Sequence, residues 1–240
     1  MPEIIVHPAG DAFAEAIARR LASRVGQLQA GGTRSPQVSL TGGRIALRTY
    51  QHLAGLSDRE DIDWTSVDWW WSDERFVPAG DNDRNDASTI AAIQAALPVP
   101  PERLHPMPAA DAGRDLDEAA AAYASELGGR AFDITLLGVG PDGHVASIFP
   151  DHPSLDGTGE VIAVRNSPKP PPDRISLTLE TLNRSREVWF TVSGAEKAGA
   201  VKSALMGGPV PAARVTGVER TLWLVDTDAA AELPASLTAP

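Results

Sequence analysis

The sequence predicts an α/β protein: a Rossmann-like, mainly parallel sheet with helices on both faces. Short apolar runs alternate along the chain with stretches of helical spacing, the pattern of strands joined by crossover helices. Most of the runs are β-branched or aromatic, as strands buried on both faces are. Unusual polar chemistry follows directly after several of them, and in sheets of this kind ligands bind beyond the carboxyl ends of the strands. With no internal repeat and no clear boundary, one domain spanning 1–240 is expected.

The first strand is read at 4–7, since the opening Met1-Pro2-Glu3-Ile4-Ile5-Val6 lacks the basic region and long apolar stretch of a signal peptide. A helix over 12–29 follows, with Phe13, Ile17, Leu21, Val25 and Leu28 on one face and Asp11 as its N-cap. Strands are next expected at 37–40 and 67–71; the Trp69-Trp70-Trp71 run of the second reads as core. Alanine-rich helices are placed at 87–96 and 116–126. Further strands fall at 133–137, 160–164, 174–179, 187–192 and 221–225, with a helix at 195–206 after the strand that ends near Ser193. The segment Ser167-Pro168-Lys169-Pro170-Pro171-Pro172-Asp173 is stiffened by its prolines and is read as a loop near the site. Residues 229–240 are read as a frayed tail.

Composition narrows the function. The chain has no cysteine, which removes disulfides, thiolate catalysis and cysteine-ligated metal centres, and fits a reducing compartment. No run reaches the roughly 18–20 apolar residues that span a bilayer, so a soluble, cytoplasmic protein is expected. The formal charge of −11, from 21 basic and 32 acidic residues, opposes nucleic acid and anionic membranes as partners. Any anionic substrate must then be held by a local basic cluster working against the global field.

Four strand ends carry candidate chemistry. After the second strand comes Thr41-Gly42-Gly43-Arg44, where paired glycines let backbone N–H groups approach an anion at a helix N-terminus. A tight turn explains a glycine pair equally well. After the tryptophan run comes Asp73-Glu74-Arg75-Phe76-Val77-Pro78, which marks either a solvated loop or a site. Downstream, Asp81-Asn82-Asp83-Arg84-Asn85-Asp86 imitates the start of a calcium loop, but it lacks the glycine at the sixth position and Ala92 replaces the bidentate glutamate. Calcium is rejected there.

The third strand end is the most informative: Gly138-Val139-Gly140-Pro141-Asp142-Gly143-His144. Its glycines satisfy the dinucleotide fingerprint, yet the strand is far from the N-terminus, and Asp142 would repel a pyrophosphate. An aspartate two residues before a histidine on a glycine-rich turn better suits an acid–base group. The carboxylate can hold the imidazole tautomer, or itself contact substrate hydroxyls. His7, His52, His105 and His152 lack that context and read as structural or solvent-facing. Asp142, His144, Asp151 and His152 have no recognised metal-ligand spacing, and no metal is assigned. The fourth strand end, Ser193-Gly194-Ala195-Glu196-Lys197, places a lysine where the helix macrodipole disfavours cations, a sign of a ligand. Arg174 is a further candidate cation.

In this order the four segments resemble the 6-phosphogluconolactonase family, within the group of sugar-phosphate enzymes that includes glucosamine-6-phosphate deaminase. Asp73-Glu74-Arg75-Phe76-Val77-Pro78 is similar to the family's D-E-R-x-V-P, and residues 138–150 to its G-x-G-x-D-G-H-x-A-S-x-F-P. Asn85 stands where the family has asparagine, and residues 174–178 and 194–198 match later blocks. Arg44 departs from the usual serine or threonine, and Val145 from the usual threonine. The rival deaminase pattern carries a glutamate where this chain has Phe149, and a tyrosine where it has Arg75.

The resemblance implies the sugar-phosphate isomerase/lactonase type of α/β fold. It implies hydrolysis of 6-phospho-D-glucono-1,5-lactone to 6-phospho-D-gluconate in the oxidative pentose phosphate pathway, with no cofactor. A δ-lactone is an activated ester that needs water and a base, not a covalent nucleophile, and the chain has no G-x-S-x-G elbow. His144, Asp142 and Arg75 are the expected catalytic residues. Thr41, Gly42, Gly43, Arg44, Asp73, Asn85, Arg174 and Lys197 are expected to bind substrate and phosphate. Arg75, or a backbone N–H near Gly43, is expected to face the oxyanion. The partner is a phosphorylated sugar lactone, with neither nucleic acid nor membrane, and the species a monomer or at most a weak dimer.

Overall fold

The computed structural model describes residues 2–56 and 61–238. Among them, seven strands form one all-parallel sheet and three form a small antiparallel one. The large sheet contains β1 (Glu3–His7), β2 (Gln37–Leu40), β3 (Asp68–Trp71), β5 (Leu104–His105), β6 (Ile134–Leu137), β9 (Glu187–Val192) and β10 (Arg220–Asp226). Their order is β1-β10-β9-β6-β2-β3-β5. From β2 the chain winds outward through β3 to β5; from β6 it winds the other way through β9 to β10. The winding reverses between β2 and β6, and that is where such a sheet opens a crevice at its carboxyl edge.

The packing explains the apolar runs. Every residue of β3, β6 and β9 is buried, because helices cover both faces. These are α1 (Asp11–Ala30), α2 (Arg44–His52), α3 (Asp86–Ala96), α4 (Leu116–Leu127), α5 (Leu179–Asn183), α6 (Ala198–Leu205) and α7 (Ala235–Thr238). The tryptophan run lies in the core, with Trp64 stacked on Trp69 and Trp70 stacked on His105. α1 buries the predicted stripe from Phe13 to Leu28. Its N-cap, however, is Gly10 at φ 83, so Asp11 sits inside the first turn and pairs with His52 instead. An acidic group there still complements the helix dipole.

Two further expectations change. The strands predicted at 160–164 and 174–179 leave the parallel sheet. They form β7 (Val161–Val164) and β8 (Arg174–Leu177), and β8 pairs antiparallel with β7 on one side and, on the other, with β4 (Asp73–Arg75), a segment whose sequence reads as a solvated loop or a site. Ser72 alone separates β3 from β4, so the chain steps from one sheet to the other. The tail is not frayed through 238: Ala229 is fully buried, and Ala230 and Leu233 pack on the core. Residues 239–240 lie outside the described residues. Among the described residues no helix is long and apolar enough to cross a membrane.

Candidate active site

A cavity of about 600 Å³ opens at the β2/β6 crevice, and the loops after β2, β6 and β9 form its walls together with β4 and the proline loop. A hydrogen bond from the Gly138 N–H to Thr41 Oγ1 at 3.3 Å ties the β6 loop to the β2 loop across the parting strands. Six cationic side chains line the cavity, Arg44, Arg48, Arg75, Lys169, Arg174 and Lys197, against the carboxylates of Asp73 and Glu196. On a chain of charge −11 this is a local reversal of field, and it suits an anion.

The loop after β6 is built to hold one histidine. The Gly140 N–H donates to the His144 carbonyl and the Gly143 N–H to the Gly140 carbonyl, each at 2.9 Å. Gly143, at φ 81, closes that turn, and its carbonyl accepts from Ala212. The turn brings the His144 ring back over its own loop, with Nδ1 2.6 Å from Asp142 Oδ1. A Cβ on Gly140 would land on that imidazole and on the Asp142 carboxylate, so only glycine fits. Phe149 packs against the ring at 4.7 Å between centroids, tilted by 38°.

Lys169, from the proline loop, places Nζ 3.2 Å from Asp142 Oδ1 and 3.1 Å from His144 Nδ1. A carboxylate only accepts, so Nδ1 carries the proton toward Asp142, and Lys169 donates to the same carboxylate. Nε2 is then the unprotonated nitrogen, the one able to accept a proton. Burial lowers the His144 pKa below the ordinary 6.5 and Lys169 adds to this, while Asp142 and Asp73 pull the other way. Burial would raise Asp142, but the His144 hydrogen bond and the charges of His144 and Lys169 hold it at about 2. The imidazole is therefore neutral, and its carboxylate partner ionised, at neutral pH. A base of this kind works only when neutral, so kcat/KM should rise with pH and level off, with its midpoint below 6.5. A rate profile over about pH 5 to 7 checks this, and a midpoint above 6.5 would contradict it. Glu74, pushed up to about 7 by burial against the pull of the Asn85 and Arg75 N–H groups, is separated by repeating the profile in Glu74→Gln.

Strand alternation distributes the β4 residues. Asp73 and Arg75 face the cavity, whereas Glu74 is 1% exposed on the opposite side. Glu74 accepts the N–H groups of Arg75, Asn85 and Asp86 and so caps α3. Asn85, at the N-cap position, is thereby free to accept from Arg75 Nη1 at 2.9 Å, and the Asp83 carbonyl takes the same Nη1 at 2.7 Å. The buried Nε of Arg75 has no partner among the described residues. Asp73 accepts from Ser147 Oγ at 2.6 Å through Oδ2, tying β4 to the histidine loop. Gly42 lies so close to the Asn85 amide that a Cβ there would overlap it.

All the predicted site residues except Asp142 line the cavity, and Asp142 reaches it through His144. Arg174 differs from expectation in its bonding. Its Nη2 donates to the Lys169 and Pro170 carbonyls and its Nε to the Pro171 carbonyl. It braces the loop that delivers Lys169, and burial lowers its pKa. Lys197 stands as predicted at a helix start: it ends a 3₁₀ turn, Ala195–Lys197, and holds the N-cap position of α6. Burial lowers its pKa too, with Lys169 and Arg44 adding to that and Glu196 and Asp142 opposing it. Gly43, at φ 100, starts α2, and no side chain caps that helix.

Sequence reasoning missed Lys169, Arg48 and Glu74. Arg48 was within reach, since it lies four residues after Arg44 on one helix face. Lys169 had only a weak signal, a single cation inside the proline loop. Glu74 stood inside the D-E-R segment, but an acidic residue beside Asp73 and Arg75 looks solvated until the second sheet buries it.

A crevice at the reversal of a parallel sheet, a histidine–aspartate pair and a ring of cations together define an α/β enzyme-type site for a small anion. The family described as glucosamine-6-phosphate isomerases/6-phosphogluconolactonase matches residues 8–223. The chain belongs to this family. It is 46% identical to a 6-phosphogluconolactonase of Streptomyces coelicolor, over all of this chain and 97% of that one. It is 43% identical to one of Mycobacterium leprae, over 91% and 93%. The crystal structure of 6-phosphogluconolactonase from Thermotoga maritima superposes with a TM-score of 0.84 at 28% identity, over 95% of this chain and all of that one.

Proposed function

We propose that this chain is a 6-phosphogluconolactonase, hydrolysing 6-phospho-D-glucono-1,5-lactone to 6-phospho-D-gluconate by attack of a water activated by His144. The observation that carries the reading is the Asp142–His144 hydrogen bond, which leaves Nε2 as a base inside a cation-lined cavity. His144 Nε2 takes a proton from water as its oxygen adds to the lactone C1, and the carbonyl π pair moves onto oxygen. Asp142 stabilises the imidazolium that forms. Arg75, which lines the cavity, faces the oxyanion; a well-placed donor there is worth about 3 kcal/mol. The C1–O5 bond then breaks, and His144 returns its proton to the ring oxygen.

Lys197, Arg44 and the backbone at the start of α2 hold the phosphate, with Arg48 at the rim. Asp73, with one oxygen left by Ser147, and Asn85 meet the sugar hydroxyls. Arg174 keeps Lys169 beside the reacting pair. The cysteine-free chain fits a reducing cytoplasm. Release of acid from the phosphorylated lactone, corrected for spontaneous hydrolysis, tests the reading. Acid release no faster than in buffer, or ammonia released from glucosamine 6-phosphate, would refute it. Lys197→Ala should raise KM about tenfold, the loss expected for one charge-assisted contact, with kcat little changed; an unchanged KM would move the phosphate elsewhere.

A further inference from the structure

Asp226 ends β10, is 1% exposed and does not line the cavity. In the parallel register Val225 pairs with Val192, so Asp226 and Ser193 stand side by side where the two strands stop. There the chain after β9 turns at Gly194, whose φ of 105 takes it out of the ladder. Three donors converge on the Asp226 carboxylate. Ser193 Oγ donates to Oδ2 at 2.6 Å, and the N–H groups of Gly194 and Ala229 donate to Oδ1 at 3.1 and 2.8 Å.

The Ala229 bond is an ordinary aspartate turn within its own segment, and one oxygen would serve it. The other two bonds cross to a different loop. That loop carries Ser193, Glu196 and Lys197 into the cavity wall. The Lys197 N–H donates to the Gly194 carbonyl at 3.0 Å, so the turn presenting the lysine begins at a residue that Asp226 holds. A buried carboxylate must keep its hydrogen bonds, which makes this anchor stiff. A lysine on a long flexible stem binds an anion better from a fixed backbone, because less freedom is lost on binding.

We propose that Asp226 is a positioning residue for phosphate recognition: it anchors the Ser193–Gly194 turn so that Lys197 meets the phosphate, and so sets the preference for phosphorylated over unphosphorylated lactones. The proposal rests on the lactonase reading and its placement of the phosphate.

The test is steady-state hydrolysis of 6-phosphogluconolactone and of unphosphorylated D-glucono-1,5-lactone, with inhibition by inorganic phosphate as a second measure. Asp226→Ala should raise KM for the phosphorylated lactone, and Ki for inorganic phosphate, about tenfold, the scale of a lost charged hydrogen bond. Its kcat, and its kcat/KM on the unphosphorylated lactone, should stay within about twofold. Asp226→Asn, whose amide still accepts from both N–H groups and donates to Ser193 Oγ, should recover most of the loss. A parallel fall on both lactones, or an unchanged KM and Ki, overturns the proposal. If Asp226→Ala does not fold, Ser193→Ala, which removes only the Oδ2 bond, should lower the preference and raise Ki about threefold; no change in either overturns the proposal equally. Lys197→Ala separates the two levels. Preference retained there sinks the phosphate placement itself, whereas preference lost there but intact in Asp226→Ala sinks this proposal alone.

Discussion

Replacing His144 by alanine is expected to lower kcat on the phosphorylated lactone about 10³-fold, the middle of the range for general-base catalysis, while KM changes only a few-fold. The ring has a free basic nitrogen beside a fixed carboxylate. Its partner Asp142 cannot replace it, since that carboxyl is held at about 2 and is far too weak a base at neutral pH. The cation-lined cavity is untouched by the change, so substrate should still bind. Stopped assays corrected for spontaneous opening of the lactone measure this directly. A kcat within about tenfold of the parent would take His144 out of the chemistry and leave orientation by the cations as the source of rate.

The second large effect is expected at a residue with no side chain. Gly140→Ala would put a methyl group on the His144 ring and the Asp142 carboxylate. Relief by rotating the imidazole breaks the 2.6 Å bond that fixes its tautomer; relief by moving the backbone opens the Gly140–His144 link. Either displaces the base by about 1 Å, which costs on the order of 10²-fold in kcat. Gly199→Ala is the matched control: its Cβ would meet only Glu232 Oε1, at 3.9 Å, in helix α6, and there alanine should stabilise the helix by about 0.5–1 kcal/mol with no change in rate. Equal, small effects of the two substitutions would show that the tight packing around Gly140 does not hold the base in place.

Much of this site was legible because its residues lie next to strands in the chain. Thr41 to Arg44, Asp142 to His144, and Lys197 each follow a buried strand closely, and a parallel sheet delivers all its carboxyl ends to one edge. Local sequence also displayed the packing stripe of α1 and the burial of the tryptophan run, since both depend on periodicity and composition alone. Errors arose where local pattern does not discriminate. Nothing in a four-residue run tells a parallel strand from an antiparallel one, so the local pattern leaves β7 and β8 in the parallel sheet, and β4, polar throughout, carries no strand signal. The N-cap of α1 was misread for a similar reason: Gly10 and Asp11 both permit a helix start, and the chain took the glycine.

By itself, then, the sequence determined most strands of the parallel sheet and the longer helices between them, the edge at which the cavity opens, and the turn that offers His144 with Asp142. Those follow from contacts between residues close in the chain, where spacing is geometry. Only the tertiary structure decided that β4 and β8 pair, which buries Glu74 as the cap of α3 and frees Asn85 to hold Arg75. It alone also brought Lys169 across to Asp142 and Asp226 beside Ser193. The contacts of Lys169 and Asp226 join residues 25 or more apart in sequence, and those that link β4 to the start of α3 join residues 10–12 apart; all are set by how sheets and loops pack, and no local preference of the chain encodes them.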